Sequence, residues 1–274
     1  MRWRPEATVA TAGPTLGASA GDPHPAGLPQ IAHHRGLMVS TCFSTLARGL
    51  LPAATLAVSL LAAPALALEP VAADYQASYM GFSAKGRLSI EAQGGERWKC
   101  TLEITHPVAK LTQTTVFEEL EGRLRPLSGS DASLLLVKKV RRQAVYDWAS
   151  AEARWSGDVK PERAGPVPLQ AGDVDGLLMN LVIARDLPAG RPLRYRLVED
   201  GRAKSMDFSV AGTETLVIGG MSRQATVVVS VHGNRQTLVW IVQGLPLPAR
   251  ILQRKDGRDD IDLRMIAWPQ PPGG

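Results

Sequence analysis

From Phe82 onward, apolar and polar side chains alternate almost without a break. Phe82, Ala84, Gly86, Leu88, Ile90 and Ala92 fall on one side, and Ser83, Lys85, Arg87, Ser89 and Glu91 on the other. A strand sends successive side chains to opposite faces, so this run predicts a strand with one dry face and one wet face. Gln93-Gly94-Gly95 turns the chain. The pattern then repeats, with Trp98, Cys100, Leu102, Ile104 and His106 opposite Arg97, Lys99, Thr101, Glu103 and Thr105. Such alternation marks an antiparallel meander with one solvated face. A Tyr-rich strand at 75–80 precedes it. A Thr-rich strand from Leu111 to Leu120, then Arg123–Ser133, Lys138–Trp148 and Ala153–Trp155, continue it.

The period changes at Asp173. Val174, Leu177, Leu178, Leu181 and Val182 recur at helical spacing, while Met179, Ile183 and Ala184 extend the apolar surface beyond one stripe. The spacing predicts a helix over about 173–187, covered nearly all round. Asp173 caps its first turn, Asp175 sits near the positive end of its dipole, and Pro188 with Gly190 stops it. A Pro- and Gly-rich loop at 156–172 delivers the chain to this helix. Beyond Gly190 the hairpins resume. Asp200-Gly201 and Asp256-Gly257 are two-residue turns, since both central positions need positive φ. The run 225–232 is apolar on both faces, which places it inside a sheet; the final Pro/Gly-rich residues read as a frayed tail. The fold expected is mainly β: a curved antiparallel meander sheet or barrel of about a dozen strands, its two halves joined by one central helix. No fixed repeat supports a propeller or solenoid.

The start of the chain reads differently. Residues 1–37 are rich in Ala, Gly, Pro, Thr and His and carry too few large apolar side chains to fold alone. His24, His33 and His34 lack the spacing of a metal site. From Met38 the chain has an n-region with Arg48, an apolar run and Ala65-Leu66-Ala67, the layout of a secretory signal peptide over 38–67. Cleavage is expected after Ala67. Met38 is the expected start, with 1–37 an upstream extension read in error, and 68–274 a single β-rich domain. The competing membrane anchor is disfavoured, because Pro52 and Pro64 interrupt the run and it ends in a cleavable tripeptide. No transmembrane segment remains after processing. The mature protein then holds Cys100 as its one cysteine and has no internal disulfide. Periplasmic localisation follows.

The net charge of +5 changes little. Residues 1–67 hold four of the 31 basic and two of the 26 acidic side chains, leaving 27 against 24 beyond them. That balance does not argue for nucleic-acid binding.

No catalytic constellation accompanies the strands. Cys100 and His106 lie about 20 Å apart along one strand, too far for a thiol–imidazole pair, and His232 has no partner signature. Asp173 and Asp175 are explained by a helix start. The acidic set Asp256, Asp259, Asp260 and Asp262 alternates with arginines, which favours cross-strand ion pairs over calcium. No cofactor fingerprint or metal spacing is present. Lys85, Arg87, Arg97, Lys99, Arg194 and Arg196 protrude from strands and read first as solvated outer face, with a basic strip facing phosphate or lipid headgroups as the alternative.

The order of several motifs resembles the domain-of-unknown-function 3108 family. They are the Tyr-rich first strand, R-P-L at 125–127, Y-D-W at 146–148, D-V-D-G-L-L at 173–178 and V-W-I-V-Q-G-L-P-L-P-A-R-I at 239–251. The resemblance spans roughly 72–267. It implies an exported, β-rich envelope protein of a Gram-negative bacterium and carries no catalytic residues. The function expected is non-enzymatic: binding a lipid or other amphiphile, or an envelope-assembly partner. A dozen strands enclose more space than medium-sized side chains fill. A residual apolar cavity is therefore expected, with Phe82, Tyr195 and Phe208 on its wall and Arg87 or Arg194 at its rim meeting a polar headgroup. The rival readings are a hydrolase of an envelope polymer, with carboxylates gathered from distant loops, and a filled structural barrel. The sequence does not set the oligomeric state.

Overall fold

The computed structural model describes residues 68–79, 82–135 and 138–271. The expected leader at 38–67 and the extension at 1–37 lie outside them.

The first half is a meander in chain order. It runs β1 (Val71–Tyr79), β2 (Phe82–Gly94), β3 (Arg97–His106), β4 (Ala109–Leu120), β5 (Arg123–Leu135), β6 (Lys138–Asp147), β7 (Glu152–Gly157) and a two-residue β8 (Val167–Pro168). The second half is another, with β12 (Ser209–Ile218), β13 (Met221–His232), β14 (Arg235–Val242), β15 (Arg250–Lys255) and β16 (Arg258–Met265). They fuse where β16 pairs antiparallel with β1, placing Met265 opposite Tyr75 and Leu263 opposite Ala77. One 13-stranded antiparallel sheet results, with β12 and β8 as its ends. The sheet is open. Between the halves come β9 (Asp173–Val174), helix α1 (Gly176–Asp186), β10 (Arg194–Glu199) and β11 (Arg202–Asp207). Strands β11, β10 and β9 form a small second sheet, with β9 parallel to β10.

Alternation decides what is buried in β2 and β3. Leu88, Ile90, Cys100 and Leu102 are buried, whereas Lys85 and Arg87 are exposed. Phe82 departs from the expected inner face: it is 66% exposed, and its ring stands edge-on to His106 at 6.2 Å. It heads its strand beyond the reach of the core. The predicted turns at Asp200-Gly201 and Asp256-Gly257 have both central residues at positive φ. At Gly201 a Cβ would lie 2.2 Å from the Arg163 carbonyl oxygen, so glycine alone lets this turn dock against the short 3-10 turn Pro161–Arg163.

Helix α1 begins at Gly176, later than the sequence pattern suggests. Its cap is Asp175, whose Oδ1 accepts the Leu178 N–H at 2.8 Å. Asp173 is drawn instead into β9, where Arg196 of β10 pairs with its carboxylate. Eight of the eleven helical residues are buried. The helix packs on β3, β4, β5 and β10, sharing one core with Ile90, Cys100, Phe117, Val228, Val239 and Leu247. A second cluster, including Tyr146, Ala153, Trp155, Val167 and Val198, lies where β6–β8 meet the small sheet. None of the described helices is long and apolar enough to cross a membrane.

Candidate functional site

One face of the first meander changes character along a row. Strand pairing aligns Leu88, Leu102, Gln113, Asp131 and Arg142 across β2 to β6. The adjacent same-face row runs Ile90, Cys100, Thr115, Gly129, Ala144 and Trp155. The face is therefore apolar over β2–β3, polar at Gln113, Thr115, Asp131 and Arg142, and apolar again at Ala144 and Trp155. The helix start and the β10–β11 turn approach this polar part, and a cleft of about 30 Å³ lies between them. That is room for about two waters or one ammonium-sized group. Drug-sized ligands occupy roughly 300–1,000 Å³.

Four carboxylates line the cleft: Asp131, Asp175, Glu199 and Asp200. Asp175 is committed to structure, since Thr115 Oγ1 donates to its Oδ2 and the Leu178 N–H to its Oδ1. Asp200 lies 3.6 Å from Arg142 Nη1 and 3.5 Å from Arg163 Nη1. Asp131 and Glu199 have no hydrogen bond or ion pair among the described residues. Glu199 reaches over the helix start because Gly176 has no side chain: a Cβ there would stand 2.7 Å from Glu199 Oε1. The positive end of the helix dipole favours a carboxylate in that place. Tyr146 and Trp155 form an aromatic wall, ring centroids 6.1 Å apart and edge-on. Tyr146 Oη donates to the Val198 carbonyl at 3.0 Å.

Burial shifts these groups. It pushes the Asp175 carboxyl up to about 7, against the two hydrogen bonds that hold it down and with the Glu199 and Asp131 charges adding to the rise. Asp131 is raised by the surrounding protein and then by Glu199, although its side chain opens to solvent at the cleft mouth. For an acid raised in the folded state, folding favours the protonated form. The stabilisation is full below the ordinary value of 3.8 and is lost as the pH rises through about 7. Asp175→Asn keeps a cap acceptor and stays neutral. Its thermal midpoint relative to the parent is expected to climb between pH 4 and 7 and then level off. A difference that is flat or falling across that window would contradict a carboxylate buried in this way.

The residues expected to line a lipid cavity are not gathered. Tyr195 and Phe208 do meet, centroids 6.3 Å apart, and Tyr195 Oη also donates to Asp186. Arg194 is turned outward to Asp207, and Arg87 pairs with Asp74 on β1. Phe82 stands apart with His106. Helix α1 packs into the core that both halves of the sheet share. The cleft described here is polar, and it was missed because nothing in the Ser-Gly-Ser-Asp-Ala-Ser run at 128–133 marks an inner face. Cys100 is buried opposite Thr115, away from His106, and its burial pushes the thiol up. Asp262 pairs with Arg250 and Arg264, Asp259 with Arg254, and Asp256 accepts from Asn234. Among the described residues no cluster of His, Cys, Asp or Glu is placed to hold a metal ion.

Among the described residues, fold and cleft together define a class: a mainly β protein with an open antiparallel sheet, one buried α-helix and a small polar cleft at the helix start. No known family model matches the chain, so the finer resemblance to the domain-of-unknown-function 3108 family is not shown. No curated protein matches it either. Among solved structures, the β-barrel-like protein of domain of unknown function 1849 from Brucella abortus is similar over 75% of this chain and 98% of its own. Its identity is 11% and its TM-score 0.48. MucB is similar over 75% of this chain and 54% of its own, at 7% identity and a TM-score of 0.32.

Proposed function

We propose that this protein is an exported, non-enzymatic module of the cell envelope that docks an assembly partner by taking one of its cationic side chains into the cleft. The observation that carries this is the pair Asp131 and Glu199, two carboxylates without ion pairs among the described residues, beside the aromatic wall of Tyr146 and Trp155. Carboxylates and ring faces both attract a cation, and the room suits one ammonium group. The signal-peptide pattern at 38–67 supports export. Asp175 is held by two hydrogen bonds as a helix anchor, which leaves it poorly placed as a general acid.

A photo-reactive residue at Gln113, which lines the cleft in the same row as Asp131 and is half-buried, tests the reading in intact cells. A discrete cross-linked adduct is expected. Asp131→Asn combined with Glu199→Gln should abolish it while the purified variant keeps a cooperative melt. No adduct, or one that survives both neutralisations, would overturn the docking reading.

A further inference from the structure

The two ends of the sheet are treated differently. At one end β8 is two residues long and includes Pro168, which has no N–H to offer. At the other, β12 runs for ten residues without proline, and eight of them are exposed. Among the described residues its outward N–H and C=O groups have no strand neighbour. Proteins ordinarily blunt such an edge with charge, proline, brevity or a bulge, and the irregularity of β12 is confined to its start, between Val210 and Gly212. The sole ionisable side chain in β12 is Glu214, and it does not guard the edge. Trp240 Nε1 donates to Glu214 Oε2 at 2.7 Å from two strands away, which draws the carboxylate back over the sheet. Arg250 stacks on the Trp240 ring at 4.4 Å and is itself gripped by both oxygens of Asp262. What remains along the edge is β-branched: Val210, Thr213, Thr215 and Val217, the two valines 60% and 67% exposed.

We infer that β12 pairs antiparallel with β12 of a second copy, across a two-fold axis at Thr215. A two-fold antiparallel pair must set one residue against itself, and three centres are available in mid-strand. Glu214 as centre would oppose two carboxylates. Thr213 as centre would bring the irregularity between Val210 and Gly212 into the new ladder. Thr215 as centre uses only the regular stretch Gly212–Ile218. It sets Thr213 against Val217 of the second copy and Glu214 against Leu216, so that no like charges meet and β-branched side chains pair. The blunted β8 end then matters again. A chain with one open edge closes at two copies, whereas two open edges would propagate. This inference is independent of the cleft.

Light scattering on the purified exported protein is expected to give twice the monomer mass. Thr213→Lys with Val217→Lys places lysines opposite each other across the axis, and this variant should run as a folded monomer by scattering and circular dichroism. Under mild oxidant Thr215→Cys is expected to form a disulfide-linked dimer, because residues directly opposite have Cβ atoms about 4.5–5.5 Å apart. Val210→Cys, outside the proposed ladder, should not. Native Cys100 is buried and does not compete. A parent that is monomeric at tens of micromolar overturns the inference. So does a dimer that survives the lysine pair and fails to cross-link through Thr215→Cys.

Discussion

Leu178→Asp is expected to remove the cooperative thermal transition of the protein. Leu178 is 0% exposed and lies on α1, in the core that both halves of the sheet share. An aspartate there would bury a carboxylate with no partner, at a cost of several kcal/mol against a total stability of about 5–15. Leu181→Asp, on the same buried surface, should behave likewise. Cys100→Ala is the control: it is equally buried but loses only a small volume, about 1–2 kcal/mol, and should still melt cooperatively. Calorimetry on the three variants decides the matter. If the aspartate variants melt like the parent, α1 is peripheral and the core is not as described.

The second large effect is expected from Arg196→Ala. Asp173 is 0% exposed, and its Oδ2 accepts both the Arg196 guanidinium and the Gln170 N–H. Removing the guanidinium strands a buried charge, which typically costs about 3–5 kcal/mol. For a domain of this size that is a fall in thermal midpoint of about 6–20 °C. Arg196 also donates to the Pro168 carbonyl at 3.0 Å, so the change loosens β8 from the small sheet as well. Replacing the pair together, as Asp173→Leu with Arg196→Leu, should recover much of the loss, because no charge is then left behind. If the single and double variants melt alike, the buried charge is not what makes Arg196 important.

Local rules explain what could be read from the sequence. Period-two alternation found the buried positions of β2 and β3, and dipeptides such as Asp200-Gly201 marked hairpins because their backbone geometry admits few residues. Periodicity also found α1. It could not choose between Asp173 and Asp175 as cap, because the choice depends on Arg196 and Thr115, which are distant in sequence. Nor did alternation reveal that β16 returns to β1, since an edge strand and a central strand can share one pattern. The cleft was hidden for a different reason. Patterning identifies an inner face by its apolar side chains, and across Gln113, Asp131 and Arg142 that face is polar. Asp131 carries the pattern of any solvated residue, and only the fold brings the helix start and the β10–β11 turn beside it at the cleft mouth.

The pairing of β1 with β16 sets how the protein bears load. Ala72 and Gln270 are bridged by two backbone hydrogen bonds of 2.7 and 2.9 Å, so the two ends of the described chain leave from one place. Tension applied between them meets the ladder one rung at a time, as when a zip is drawn, rather than loading all rungs together in shear. The strands that tie the two meanders into one sheet are thus the first to part under a pull on the ends, even though they lie in the interior of the sheet.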